Sequence, residues 1–272
     1  MTTVTIDPYA SMTVTSRHQF LYALNPLAKI IGFAPAMIVL VFVRDLTTPA
    51  VFLLLAYAII LIGARLTARL LALLLLALPI GMLAIGIGFS LWVDASLVAE
   101  SPAIVRIGTW TLYAGALEIG FATALRLGSI VALALIGGLT TTGPDLVRAS
   151  VQQVRVPYRI GYTALAAFRF VPRFGHELAV IRAAHRVRGH HGGRGPFARI
   201  ARGWGYIVPL LAGAIRHAER VALAMDSRAF GAHATRTERH LVPFRVRDAV
   251  FTVSSFATSV VILVAFFPWQ LP

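Results

Sequence analysis

Residues Leu70–Val93 read LLALLLLALPIGMLAIGIGFSLWV, without a single charge. At about 1.5 Å per helical residue such a run extends about 36 Å, enough to cross about 30 Å of hydrocarbon. Four further apolar runs lie around it. Leu27–Val43 and Pro49–Ala64 precede it and are short for a span. Tyr113–Leu139 follows, long and interrupted by Glu118 and Arg126. Ala249–Trp269 comes last, with Phe266, Phe267 and Trp269 at its end, where aromatic rings favour the membrane interface. The expectation is an all-α, polytopic membrane helix bundle of about five spans, with a long cytoplasmic helical segment before the last span.

Composition agrees. Of 272 residues, 58% are hydrophobic and 13% charged, with a mean hydropathy of +0.78. A soluble core of this size would leave too much apolar surface in water. The absence of cysteine excludes disulfides, thiolate metal sites and cysteine nucleophiles. The one lysine, Lys29, is not part of a Gly-x-x-x-x-Gly-Lys loop, so no P-loop binds ATP here. The first 25 residues are polar and carry no apolar core before a small-residue cleavage site, so no removable signal peptide is expected.

Net charge is +14, and almost all of it falls in one stretch. Pro144–Arg247 holds 18 arginines against Asp145, Glu177, Glu219, Asp226 and Glu238, a local excess of +13. The natural partners of such a surface are anionic: lipid head groups, an acidic protein face or nucleic acid. The chain divides accordingly into 1–143 (tail and four spans), 144–247 (basic region) and 248–272 (last span). Orientation follows from the short loops. Arg17, Lys29, Arg65 and Arg69 fall on one side with the basic region; Arg44-Asp45 and Asp94–Pro102 fall on the other, with one arginine and three acids. The positive-inside rule places the N-terminus and 144–247 in the cytoplasm. Lys29, at the start of the first run, is expected to snorkel to the interface.

Within the basic region, Gly143-Pro144-Asp145 breaks the fourth run, and Leu146–Val156 reads as a short helix stopped by Pro157. Tyr158–Phe174 is too charged to span, with Arg159, Arg169 and Arg173, and reads as an amphipathic surface segment. His176–Arg188 carries Leu178, Ile181 and Ala184 on one helical face, with Gly189 positioned to end it. Pro209–Phe230 has a cleaner stripe at Leu211, Ala214, Ile215, Ala218, Ala222 and Met225, with Gly231 at its end. Two helices thus end in arginine motifs, Val187-Arg188-Gly189 and Ser227-Arg228-Ala229. On spacing alone, the simpler reading is that these arginines complement the helix dipoles.

Several pieces in order resemble the EcfT/CbiQ family, the transmembrane T components of energy-coupling factor transporters. Leu24-Asn25-Pro26-Leu27-Ala28-Lys29 is similar to the family's Asp-Pro-Arg-x-Lys pattern. Leu125-Arg126-Leu127 and Thr141-Thr142-Gly143-Pro144-Asp145-Leu146 resemble its Arg-Leu and Thr-Thr-x-Pro-x-x-Leu patterns. Val156-Pro157, Phe168-Arg169-Phe170-Val171-Pro172 and Glu177 lead to Ala183-Ala184-His185-Arg186-Val187-Arg188-Gly189, which resembles the first coupling motif. Pro209-Leu210-Leu211, Ala218-Glu219 and Ala224-Met225-Asp226-Ser227-Arg228-Ala229-Phe230-Gly231 resemble the second, with Ser-Arg-Ala where the family has Ala-Arg-Gly.

The resemblance implies a non-catalytic subunit of an ATP-driven importer of a vitamin or metal ion. It joins two cytoplasmic ATPase subunits, which bind the ATP, to a membrane S component that binds substrate. Arg186, Arg188 and Gly189 would contact one ATPase; Ser227, Arg228 and Ala229 would contact the other. Arg126, Arg169 and Arg173 are candidates for S-component or bundle contacts. This chain itself would bind no cofactor, no metal and no nucleic acid. His185, His190, His191 and Glu177 lack a fixed ligand geometry, and the basic stretches lack interleaved aromatics. The alternative function is a membrane enzyme acting on an anionic lipid, for which no grouped carboxylate or His/Asp set is visible at an interface.

Overall fold

A computed structural model describes residues 20–65, 67–98, 100–107, 110–188 and 195–266. Gly189, His190 and His191, most of the N-terminal tail, and Phe267 and Trp269 lie outside the described residues. The fold is an all-α membrane bundle carrying a long helical segment. By contact it separates into one unit of residues 1–146 and 243–272 and a second of 147–242.

In the first unit the apolar runs become helices close to their expected limits: α1 (Phe20–Ala23), α2 (Pro26–Leu40), α3 (Thr47–Gly63), α4 (Ala68–Ala72), α5 (Leu78–Trp92), α6 (Ala114–Thr140) and α10 (Val246–Phe266). α4, a π turn at Leu73–Ala77 and α5 form one continuous rod, Ala68–Trp92. Among the described residues that rod, α6 and α10 are long and apolar enough to cross a membrane; α2 and α3 are shorter apolar helices. A two-stranded antiparallel hairpin, β1 (Ala103–Ile107) with β2 (Trp110–Tyr113), joins α5 to α6 where only a loop is expected. The core gathers Leu21, Phe33, Leu40, Phe52, Ile60, Leu74, Leu133 and Ile136.

The π turn has a local cause. Leu78 N–H bonds the Leu73 carbonyl, five residues back. In that register the next donor, residue 79, would serve Leu74, but Pro79 has no N–H. The Tyr57 hydroxyl donates to the Leu74 carbonyl instead, at 2.6 Å.

α5 and α6 touch almost backbone to backbone. A Cβ built on Gly120 would lie 2.1 Å from Ser90 Oγ and 2.5 Å from the Gly86 carbonyl, and one on Gly128 would lie 2.5 Å from Met82 Sδ. Small residues at four-residue spacing (Gly86 and Ser90; Gly120, Ala124 and Gly128) let dispersion act between helices where lipid offers no hydrophobic drive.

The first unit ends in a polar cluster. Asn25 caps α2 by accepting from Leu27 N–H at 3.0 Å. Buried Asp248 accepts from Asn25 N–H and from Arg245 N–H, both at 2.7 Å, so it fastens the start of α10 to the start of α2. Lys29 does not snorkel. It is 2% exposed, and its ammonium donates to the Leu21 and Thr140 carbonyls and to Thr140 Oγ1, each at 3.0 Å. Three acceptors for three donors make burial of that group affordable.

The second unit contains most of α7 (Gly143–Gln153), then α8 (Tyr158–Val187) and α9 (Pro196–Asp226). Thr142 caps α7: its Oγ1 accepts from Asp145 N–H at 3.1 Å and donates to Asp145 Oδ2 at 2.7 Å. Two expectations are corrected here. Tyr158–Phe174 and His176–Arg188 are one helix of 30 residues with Pro172 inside it. The second arginine-tipped helix runs Pro196–Asp226, not Pro209–Phe230, and Pro209 lies in its interior. Each internal proline removes one helical bond, yet each helix continues on both sides of it.

Candidate functional site

The contacts between α8 and α9 run in opposite directions along the two helices. Tyr158 meets Phe230, just past the end of α9, with ring centroids 5.7 Å apart; Phe170 stacks on His217 at 4.3 Å; His185 meets Tyr206 edge-on at 5.3 Å. Between these, Glu177 passes beside Gly213, where a Cβ would lie 3.2 Å from its Oε1. The pair is therefore antiparallel. α8, with 30 residues, is about 45 Å long. Arg188, at its far end, and Arg228, beside its start, are thus separated by a distance on the order of 40 Å. Two basic tips stand at opposite ends of one helical pair.

At the first tip, Val187 is 90% exposed and Arg186 and Arg188 are exposed. Arg188 closes α8, its N–H bonding the Ala184 carbonyl at 3.1 Å. Arg182 lies over the Tyr206 ring at 5.8 Å and adds a cation near the same end. Gly189, the third residue of the motif, falls outside the described residues.

The second tip is a Schellman turn. Phe230 N–H reaches back to the Met225 carbonyl at 3.0 Å and Ala229 N–H to the Asp226 carbonyl at 2.9 Å. Between them Ala229 adopts φ +52°, the left-handed conformation that glycine occupies most readily at this position. Ser-Arg-Ala thus makes the turn that Ala-Arg-Gly would make more easily. Ser227, Arg228 and Ala229 are all exposed.

Arg169 and Arg173 are exposed on α8. Arg126 has a place in the bundle: its guanidinium donates to the carbonyls of Val41 at 3.1 Å and Val43 at 3.3 Å, just past the end of α2. It completes acceptors that the helix end leaves open. Glu118, eight residues away on α6, is exposed.

Sequence reading missed what surrounds the second tip. The Tyr162 hydroxyl donates to Glu238 Oε2 at 2.7 Å, the Arg236 guanidinium covers the Tyr162 ring at 4.2 Å, and Arg159 donates to the Gly231 carbonyl at 2.6 Å. Burial, and then the bond to Glu238, pushes the Tyr162 hydroxyl above its ordinary pKa. None of these pairs has a short-range sequence signature; the partners lie more than 70 positions apart.

A family model for a cobalt transport protein, CbiQ, matches residues 17–239. An energy-coupling factor transporter transmembrane protein EcfT of Staphylococcus aureus is 28% identical over 256 residues, covering 91% of this chain and 93% of the relative. The EcfT of Bacillus selenitireducens is 29% identical over 155 residues, or 54% of this chain and 58% of that one. A Bifidobacterium longum protein, provisionally named an ABC transporter ATP-binding protein, is 27% identical over 271 residues; these cover 97% of this chain but only 33% of the longer relative. The chain thus spans a third of one of these relatives and somewhat over half of another. With a bundle of apolar helices, an arginine-rich helical pair and a family match over most of its length, the chain belongs to the EcfT/CbiQ family of transporter transmembrane proteins.

Proposed function

We propose that this chain is the T component of an energy-coupling factor importer, a non-catalytic scaffold. It passes ATPase motions to a substrate-binding S component in the membrane. The observation that carries this reading is the antiparallel pair α8/α9, which presents Arg188 and Arg228 at opposite ends. Two separated tips suit two partner subunits, one at each end. A guanidinium at a helix end pairs two-pronged with a carboxylate in an acidic groove, and it keeps its charge through any pKa shift the interface imposes. Losing one such partner at a partly dry interface costs on the order of 2–5 kcal/mol of binding.

Partners of this kind are also suggested by the comparisons. A stretch like this chain makes up a third of a protein named for ATP binding. In this reading the ATPase subunits bind the ATP. The same reading puts the N-terminus and residues 144–247 on the cytoplasmic side, which the short-loop arginines favour. The transported vitamin or metal ion is chosen by the S component. Exposed arginines of the basic region such as Arg216 and Arg220 meet water or anionic head groups at about 1 kcal/mol each, and no arginine is assigned to nucleic acid.

The test is co-purification. The tagged chain in mild detergent is expected to carry two nucleotide-binding subunits with it. Recovery of the chain alone, with uptake intact, would remove the proposal.

A further inference from the structure

A helix that ends on an exposed arginine ordinarily frays, because its last carbonyls lack partners. α9 does not end this way. Just past Arg228, the chain turns back and is fastened at several points. The Phe230 ring rests edge-on against Tyr158 at 5.7 Å and Tyr162 at 6.3 Å. Arg236 lies across the same group, 4.2 Å from the Tyr162 ring and 5.6 Å from the Phe230 ring. The Tyr158 hydroxyl donates to the His233 carbonyl at 2.6 Å, and the Tyr162 hydroxyl to Glu238 at 2.7 Å.

Further along, Gln152 closes a two-way clasp on the returning strand. Its amide donates to the His240 carbonyl at 2.8 Å, and its carbonyl accepts from Val242 N–H at 2.8 Å. Apart from the Arg236–Phe230 contact, every fastening joins residues 230–242 to α7 or to the first turns of α8. Arg228 sits two residues before the first of them, with only Ala229 and its left-handed φ between.

We propose that Tyr158, Tyr162, Arg236 and Glu238 are positioning residues that act through Arg228. They hold the second tip in its docking geometry before any partner arrives. The physical argument is preorganisation: a guanidinium on an ordered backbone loses less freedom on docking than one on a fraying end. The lock also holds the turn in which Ala229 takes the conformation that glycine would adopt without strain. The proposal rests on the reading of Arg228 as a coupling residue.

The experiment is a double-mutant cycle on the assembled complex, read as ATP-driven uptake per complex in membrane vesicles. Glu238→Leu removes the acceptor of the Tyr162 hydroxyl; Glu238→Gln keeps one; Tyr162→Phe keeps the ring and removes only the donor. With Arg228 present, Glu238→Leu is expected to lower uptake about tenfold, Tyr162→Phe less, and Glu238→Gln least. With Arg228→Ala in place, Glu238→Leu is expected to change uptake by less than about twofold, since the two changes act as one unit. An equal loss in both backgrounds, or no loss with Arg228 present, would overturn the positioning role and leave the proposed function standing. Wild-type uptake with Arg228→Ala would overturn both.

A second measurement needs no partner. The chain contains no cysteine, so spin labels can be placed at Thr163→Cys and Ser227→Cys, both exposed positions. One narrow distance distribution is expected with Glu238 or Glu238→Gln and a broad one with Glu238→Leu. A distribution unchanged by Glu238→Leu would show that the lock does not set the tip.

Discussion

Replacing Gly120 with alanine adds one methyl group where α5 and α6 are closest. On an open helix face that change would be favourable, since alanine is preferred over glycine by about 1 kcal/mol in a helix interior. At Gly120 the new Cβ would stand 2.1 Å from Ser90 Oγ and 2.5 Å from the Gly86 backbone carbonyl. The hydroxyl could rotate away, but the carbonyl belongs to the helix and cannot. The two helices must separate by several tenths of an ångström, and the Gly128–Met82 contact two turns away must loosen with them.

Overpacking of this kind costs about 1–3 kcal/mol, which outweighs the propensity gain. A melting temperature lower by several degrees is expected, at about 2–4 °C per kcal/mol. Gly138, on the same helix with nothing within 4 Å of its Cβ position, supplies the control. Gly138→Ala should melt at or above wild type. The assay is thermal unfolding in detergent, followed by the loss of a monodisperse elution peak. If Gly120→Ala were as stable as Gly138→Ala, the close α5/α6 packing would be wrong.

Other perturbations test separate parts of the fold. Tyr57→Phe strands the Leu74 carbonyl at the π turn and should lower stability by about 0.6–1.7 kcal/mol in the same melt; no change would mean the carbonyl finds another donor. Ala229→Gly relieves a left-handed alanine, worth about 1–2 kcal/mol, against about 0.4–1 kcal/mol lost to a freer unfolded chain. Slower amide exchange at Phe230 is the expected readout, and Ala229→Val should speed it. Asp45 is pushed up by burial, but hydrogen bonds from Thr48 and Thr47 outweigh this and hold its carboxyl below the usual range. Its contribution to stability is therefore complete above the unfolded carboxylate pKa of about 3.9 and is lost as pH falls through the lower folded value. Asp45→Asn should be less stable than wild type near neutral pH, with the gap closing as pH falls below about 4; a gap independent of pH would refute that role.

The spans were legible because a bilayer demands long uncharged runs, and Leu70–Val93 has no soluble alternative. The end of α9 was legible only in part: Gly231 read as the stop after a helix to Phe230, whereas the helix closes at Asp226 and the left-handed turn falls on Ala229, where the family resemblance puts a missing glycine. Local boundary signals misled. Pro209 read as a helix start and Gly175 as a break between two segments, yet each sits within a long helix. Lys29 misled for a related reason: local logic sends a lysine at a helix start to water, while its acceptor Thr140 lies 111 positions away. The opposed placement of the two arginine tips and the lock around Phe230 depend on pairings of that kind, which no spacing within a single segment encodes.

Reversing both tips addresses the central claim most directly. Arg188→Glu with Arg228→Glu alters two exposed side chains and leaves the buried bundle untouched. The variant should elute from detergent as a folded, monodisperse protein while losing both nucleotide-binding subunits and all ATP-driven uptake, with each single reversal giving a partial loss. Assembly and uptake at wild-type levels in the double variant would contradict the account.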